Sequence, residues 1–177
     1  CAAAIMALCR EGAGPGSPEL PRGREQWLRL MSLLAVVTLR SYGGVIMSFP
    51  WRAGAWAWIA ALCVAGGKCI GGFASDRFGE VRSATVTLSA AAIALIFSAF
   101  PLPGALGLLL FNMSMPVTLY AARDILREGR ATAFGLLTLG LFLGMLPAFS
   151  GASGSGQDYA MICLISIMLI RVGVGKR

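Results

Sequence analysis

Residues 55–82 read AWAWIAALCVAGGKCIGGFASDRFGEVR, and how this stretch is read decides the fold. Its first 20 residues, 55–74, carry a single charge, Lys68. About 20 apolar residues in a helix span the roughly 30 Å hydrocarbon core of a bilayer. Asp76, Arg77, Glu80 and Arg82 follow at once with Gly79 among them, so the apolar segment ends in a charged turn. At its other end stand Trp56 and Trp58, residue types that settle at membrane–water interfaces.

Outward from this unit the pattern recurs. Six spanning segments can be drawn, at about 28–49, 55–74, 83–100, 104–121, 131–150 and 157–174. The chain is 57% hydrophobic and 13% charged, with a mean hydropathy of +0.76; soluble domains carry about 45–50% apolar and about 25% charged residues. No water-soluble core of this size could bury so many apolar runs. The expected fold is all-α and integral to a membrane, and the first expected partner is the lipid bilayer.

A net charge of +7 raises the question of nucleic acid, but the basic residues stand singly between apolar runs and form no stripe. No nucleic-acid partner is expected. Histidine is absent, and Cys1, Cys9, Cys63, Cys69 and Cys163 show no metal-ligand spacing. The cysteines read as small apolar helix residues; neither a metal nor a cofactor is expected.

Residues 1–9 read as the tail of a preceding helix, and residues 10–27, rich in Gly, Pro and charge, as a linker before the six-helix unit 28–177. A lipid-modified Cys1 is the alternative for the start, although AAAIMAL follows where a polar tether is usual.

Orientation follows from Lys and Arg in short loops. Arg10, Arg22, Arg24, Arg29, Arg77, Arg82, Arg123, Arg127, Arg130, Arg171, Lys176 and Arg177 fall on one side, and Arg52 alone on the other. The linker, the charged loops and the C-terminus are therefore assigned to the cytoplasm of a bacterial-type inner membrane. Trp51, Trp56 and Trp58 then mark the outer boundary, where Pro101 and Pro103 form a tight uncharged turn.

The second and fifth segments each contain GxxxG, Gly67 with Gly71 and Gly140 with Gly144, a spacing that lets helix backbones approach closely in lipid. Like character at like positions of two three-helix units points to an internal inverted repeat. In residues 67–82, a helix glycine permits close packing, Asp76 can meet a helix N-terminus or an arginine, and Gly79 permits a sharp reversal. Arg123 and Asp124, at the inner end of the fourth segment, could pair with Asp76 and Arg77 as a latch. The plainer reading is a charged turn that holds its loop in the cytoplasm.

GKCIGGFASDRFGEVR resembles the loop signature of the major facilitator superfamily. Gly72, Asp76, Arg77, Gly79 and Arg82 match it, and Val81 stands where a basic residue is usual. Residues 116–147, PVTLYAARDILREGRATAFGLLTLGLFLGMLP, and residues 39–49, LRSYGGVIMSF, are similar to drug-exporter-like members, including fosmidomycin-resistance-type efflux proteins. The resemblance covers about residues 30–174. It implies the C-terminal six-helix half of such a transporter, made of two three-helix inverted repeats. It implies a partner too, an N-terminal six-helix half or, failing that, a second copy. The latch would then close the cytoplasmic side.

Arg40 is the most pointed single residue. It stands about 18 Å into the membrane from Leu28, where a charge costs at least ~2.5 kcal/mol. Either it lines a translocation cavity and attracts an anionic group of a small-molecule substrate, or it clamps neighbouring helices. Tyr42, two residues on, is a weaker cavity candidate. Asn112 and Thr118, with Ser114 and Tyr120, give the fourth segment its polar groups, for a cavity or for bonds across helices. Lys68, some two turns from the end of its segment, reads as a side chain that snorkels to the interface.

The function these features imply is secondary active transport of a small organic solute by alternating access. The rival is a non-transporting membrane protein or a truncated gene fragment. A membrane-embedded enzyme is disfavoured, because the acids are few and interfacial.

Overall fold

The computed structural model describes residues 24–125, 130–151 and 154–174. The proposed helix tail 1–9, most of the linker, Arg127, Lys176 and Arg177 lie outside the described residues, as does the side chain of Arg130. Within them the chain forms α1 (Arg24–Ile46), α2 (Ala55–Phe78), α3 (Glu80–Ile96), α4 (Pro101–Asn112), α5 (Met115–Ile125), α6 (Arg130–Met145) with a 3₁₀ turn Leu146–Ser150, and α7 (Gly156–Val174). Among the described residues there is no strand.

Four stretches are long and apolar enough to cross a bilayer, Arg24–Ile46, Ala55–Phe78, Pro101–Ile125 and Gly156–Val174. The α3 and α6 helices, at 17 and 16 residues, are shorter than the segments 83–100 and 131–150. Proline accounts for the end of α6, since it cannot donate to the helix ladder and disfavours helix in the residue before it; α3 ends at Ile96, five residues before Pro101. Pro147 falls in the 3₁₀ turn after α6. Pro101 opens α4 and Pro103 lies in its first turn, where the missing N–H has no partner to lose; the turn expected at these prolines is instead residues 97–100. Helix α1 is already helical at Arg24, ahead of the expected Leu28. Helix α2 runs on to Phe78 until Gly79, whose φ of 85° suits glycine.

The core is apolar, and unlike that of a soluble protein the outer surface is apolar as well. Trp58, Leu62, Phe73, Leu102, Phe149 and Met168 are exposed, while Ser75, Thr87, Asn112, Ser114, Thr118 and Ser166 are buried. Apolar surface of this kind is at rest in lipid, and the architecture fits a multi-pass helical membrane protein.

Glycines set the closest approaches. A Cβ on Gly67 would lie 2.3 Å from the Leu109 carbonyl oxygen and one on Gly71 2.2 Å from that of Met113, so α2 runs parallel to the fourth span. A Cβ on Gly144 would lie 2.2 Å from the Thr38 carbonyl, and one on Gly140 2.9 Å from Leu34, so α6 runs parallel to α1. Helix α7 runs antiparallel to α1, with Ile162 against Gly43 and Gly173 against Leu33. Gly104, near the start of α4, abuts Trp51 just beyond the end of α1. These directions gather Arg24, Arg29, Arg77, Arg82, Arg123 and Arg171 at one end of the bundle and leave Arg52 at the other.

The neighbours obey a correspondence. Numbering the spans one to six, with α4 and α5 together as the fourth, the second packs on the fourth as the fifth packs on the first. The third packs on the fourth as the sixth packs on the first, and the third and sixth pack on each other. Exchanging the first three spans with the last three maps these contacts onto one another, although the contacts of the second span with the third and of the fourth with the fifth have no counterpart of similar extent. The broken fourth span touches every other span.

At the end bearing Arg52, aromatic rings close the bundle. Trp51 stacks on Phe49 at 5.0 Å, meets Trp56 edge-on and donates its indole N–H to the Ser98 carbonyl at 2.9 Å. Of the three tryptophans expected to face the interface, Trp51 is therefore turned inward, and Trp58 is the one that stands free on the surface.

Candidate functional site at the break in the fourth span

Pro116 has no N–H to give the Asn112 carbonyl, and its ring crowds that turn. The fourth span accordingly divides between Asn112 and Met115. The turn is held from within. The Met113 N–H reaches the carbonyls of Leu109 and Leu110 at 3.2 Å, and the Ser114 hydroxyl donates to the Phe111 carbonyl at 3.0 Å.

Arg40 comes to this break from α1. It is 8% exposed, so a full charge lies inside an apolar bundle. Its Nη1 donates to Ser114 Oγ at 2.5 Å, and its guanidinium carbon lies 5.1 Å from the Phe111 ring centroid. Ser114 is 0% exposed and uses its one proton on Phe111, which leaves a lone pair for the arginine. The ring face supplies a cation–π contact. Because Gly71 abuts Met113, Ser114 lies about one turn from the middle of α2, within the apolar slab.

The third wall is α7. The pairing of Gly43 with Ile162 and of Gly173 with Leu33 sets Ser166 level with Arg40. Cys163 and Ser166 are both buried, and Ser166 Oγ is the one fully buried side-chain polar atom without a partner among the described residues. The arrangement is thus a fixed cation at a helix break between the first, fourth and sixth spans, with a spare hydroxyl at the same depth. Its chemistry is that of holding an anion or a lone pair. Among the described residues no three Cys, Asp or Glu side chains converge as metal ligands.

The other residues singled out in the sequence are not gathered here. Tyr42 is half-buried at the edge of the core. Asn112 Nδ2 donates to the Leu108 carbonyl and Thr118 Oγ1 to that of Met115, both at 2.8 Å, so both are bonded within their own span. Asp76, Arg77, Arg82, Arg123 and Asp124 are all exposed at the basic end. Asp124 has a partner there. Gly72 meets nothing within 4 Å, and the close contact falls on Gly71 instead. Gly79 supplies the reversal between α2 and α3.

Phe111, Cys163 and Ser166 were not among the expected site residues. Pro116 is the sequence feature that marks the break. Nothing in the spacing of α7 singles out Ser166, because its depth comes from the register of two glycines against α1. No family model, curated protein or solved structure matches the chain.

Proposed function

We propose that the chain is a six-helix half-bundle of the major facilitator type, part of a secondary transporter that moves a small organic solute across a bacterial-type inner membrane by alternating access. Its linker and C-terminus face the cytoplasm, and an N-terminal six-helix half or a second copy completes the path. What carries this reading is the correspondence between the two sets of three spans. Transporters built from inverted repeats place their sites near the midplane, where the repeats meet and helices are discontinuous. Here the first and fourth spans exchange with each other in that correspondence, and Arg40 meets the helix break between them. Irregular backbone at this depth is stable only where protein or a cavity covers it. Asp76, Arg77, Arg123 and Asp124 would act at the cytoplasmic mouth, and Tyr42, Asn112 and Thr118 beside the path.

The enclosure of Arg40 by Phe111, Ser114 and α7 favours a second reading. In it the arginine only clamps a broken helix in a bundle that moves nothing. Proteoliposomes carrying the full-length protein separate the two. Under the transport reading, a panel of labelled organic acids and amines includes one that exchanges saturably, and Arg40→Met slows that exchange at least tenfold. No exchange with any member of the panel, from protein whose folding is verified, would leave the clamp as the answer.

A further inference from the structure

Lys68 has no place in the site above, and its position is unusual. Helix α2 runs unbroken through Lys68 to Phe78. Trp58 and Asp76 mark the two ends of its apolar stretch and lie about 27 Å apart along the axis, close to the roughly 30 Å of a hydrocarbon core. Lys68 then stands about 15 Å from one boundary and about 12 Å from the other.

Snorkelling does not rescue it. A lysine chain reaches roughly 6 Å, half of what the nearer boundary requires. Side chains on a helix also lean toward its N-terminus, which for α2 is the far, outer end. Yet Lys68 is exposed on the bundle surface, and among the described residues no acidic side chain pairs with it. An unpaired ammonium facing lipid at this depth costs at least ~2.5 kcal/mol, and such charges face a watery cavity instead.

The rest of its face agrees. Ala61, Ala65, Gly72 and Asp76 lie at three- and four-residue steps along one face with Lys68, a stripe of small residues that ends in a carboxylate at the basic end. Gly72, with nothing within 4 Å, leaves room beside the ammonium. The bulky exposed residues Leu62 and Phe73 point more than about 100° away from it. The charges at depth also share one sign. Arg40 and Lys68 are basic, and the one acid in the six apolar segments, Asp158, stands at the outer start of α7.

We infer that the Ala61–Ala65–Lys68–Gly72 face of α2 borders a water-filled cavity and that Lys68 is a binding residue there for a small anionic solute bearing a carboxylate or phosphate group. The inference rests on α2 crossing a bilayer and holds whether or not the bundle transports.

The test uses the full-length protein in vesicles, with the native cysteines replaced by alanine and Ala65→Cys as reporter. Ala61→Cys is a second reporter on the same stripe, in case the first does not fold. Leu62→Cys is the control on the lipid side. The probes are a membrane-impermeant sulfonate thiol reagent, its quaternary-ammonium counterpart and a lipid-soluble maleimide. The stripe reporters are expected to react with both aqueous reagents, the anionic one on the order of tenfold faster, and Lys68→Gln is expected to abolish that preference. Millimolar acetate or inorganic phosphate should slow the anionic reagent only while Lys68 is present.

Reaction of the stripe reporters with the maleimide alone would place this face in lipid, with Lys68 on a headgroup, and overturn the proposal. Aqueous reactivity without an anionic preference would mean that an acid from another segment neutralises Lys68, and would overturn it equally.

Discussion

At the scale of single residues, the balance of forces on Arg40 makes a sharp prediction. Burying a guanidinium costs several kcal/mol, and one hydrogen bond with one ring face repays only part of it. An isosteric apolar side chain removes the debt along with the contacts. Arg40→Met is therefore expected to leave the bundle as stable as before or about 1–4 kcal/mol more stable. Ser114→Ala does the opposite, leaving the charge buried without its acceptor, and should cost about 1–3 kcal/mol. Ser166→Ala removes a hydroxyl that bonds to nothing and should cost nothing. Detergent unfolding followed by tryptophan fluorescence ranks the three. If Arg40→Met proved the least stable, the arginine would be a structural clamp.

At the scale of helices, neighbouring glycines differ in kind. Gly71→Ala drives a methyl group into the backbone at Met113, and because the obstacle is a carbonyl the helices must separate. The cost should be about 1–3 kcal/mol. Gly72→Ala points into open space and should gain roughly 0.5–1 kcal/mol of helix propensity. The same unfolding assay compares them, and equal effects would mean that the α2–α4 contact is not formed in the membrane. Pro116→Ala would let the fourth span close its ladder and swing Ser114 away from Arg40, so in that background Arg40→Met should gain more stability than it does in the wild type.

These pairs also mark how far the sequence could be read. The GxxxG spacings pointed to Gly67, Gly71, Gly140 and Gly144, and all four lie against neighbouring helices, because small residues leave one physical option in lipid. A loop motif pointed to Gly72, but the adjacent residue makes the contact, since motif letters carry no information about which way a helix is rotated. Arg40 was legible from charge and depth. Its partners were not, because Ser114 is offered by a proline-induced break and Ser166 by a register between distant spans.

At the scale of the whole molecule, the basic residues make orientation testable independently of transport. Six arginines of the described helices gather at one end and Arg52 stands alone at the other. Translocation of basic loops is opposed, so the proposed orientation holds the crowded end in the cytoplasm. Single cysteines at Ala53, Arg82 and Arg123 in a cysteine-free background report this directly. An impermeant maleimide applied to intact cells should label Ala53→Cys and should reach Arg82→Cys and Arg123→Cys only after permeabilisation. A reversed pattern would turn the bundle over and place the proposed latch residues outside. Labelling of all three in intact cells would mean that α2, α3 and the fourth span do not cross at all. The lone outward charge gives a way to perturb the balance. Moving positive charge from the crowded end to the other, by Arg82→Glu with Arg123→Glu and two lysines at Ala53 and Gly54, should leave a mixed population. The bias is distributed over several loops, so two of them weaken it without inverting it.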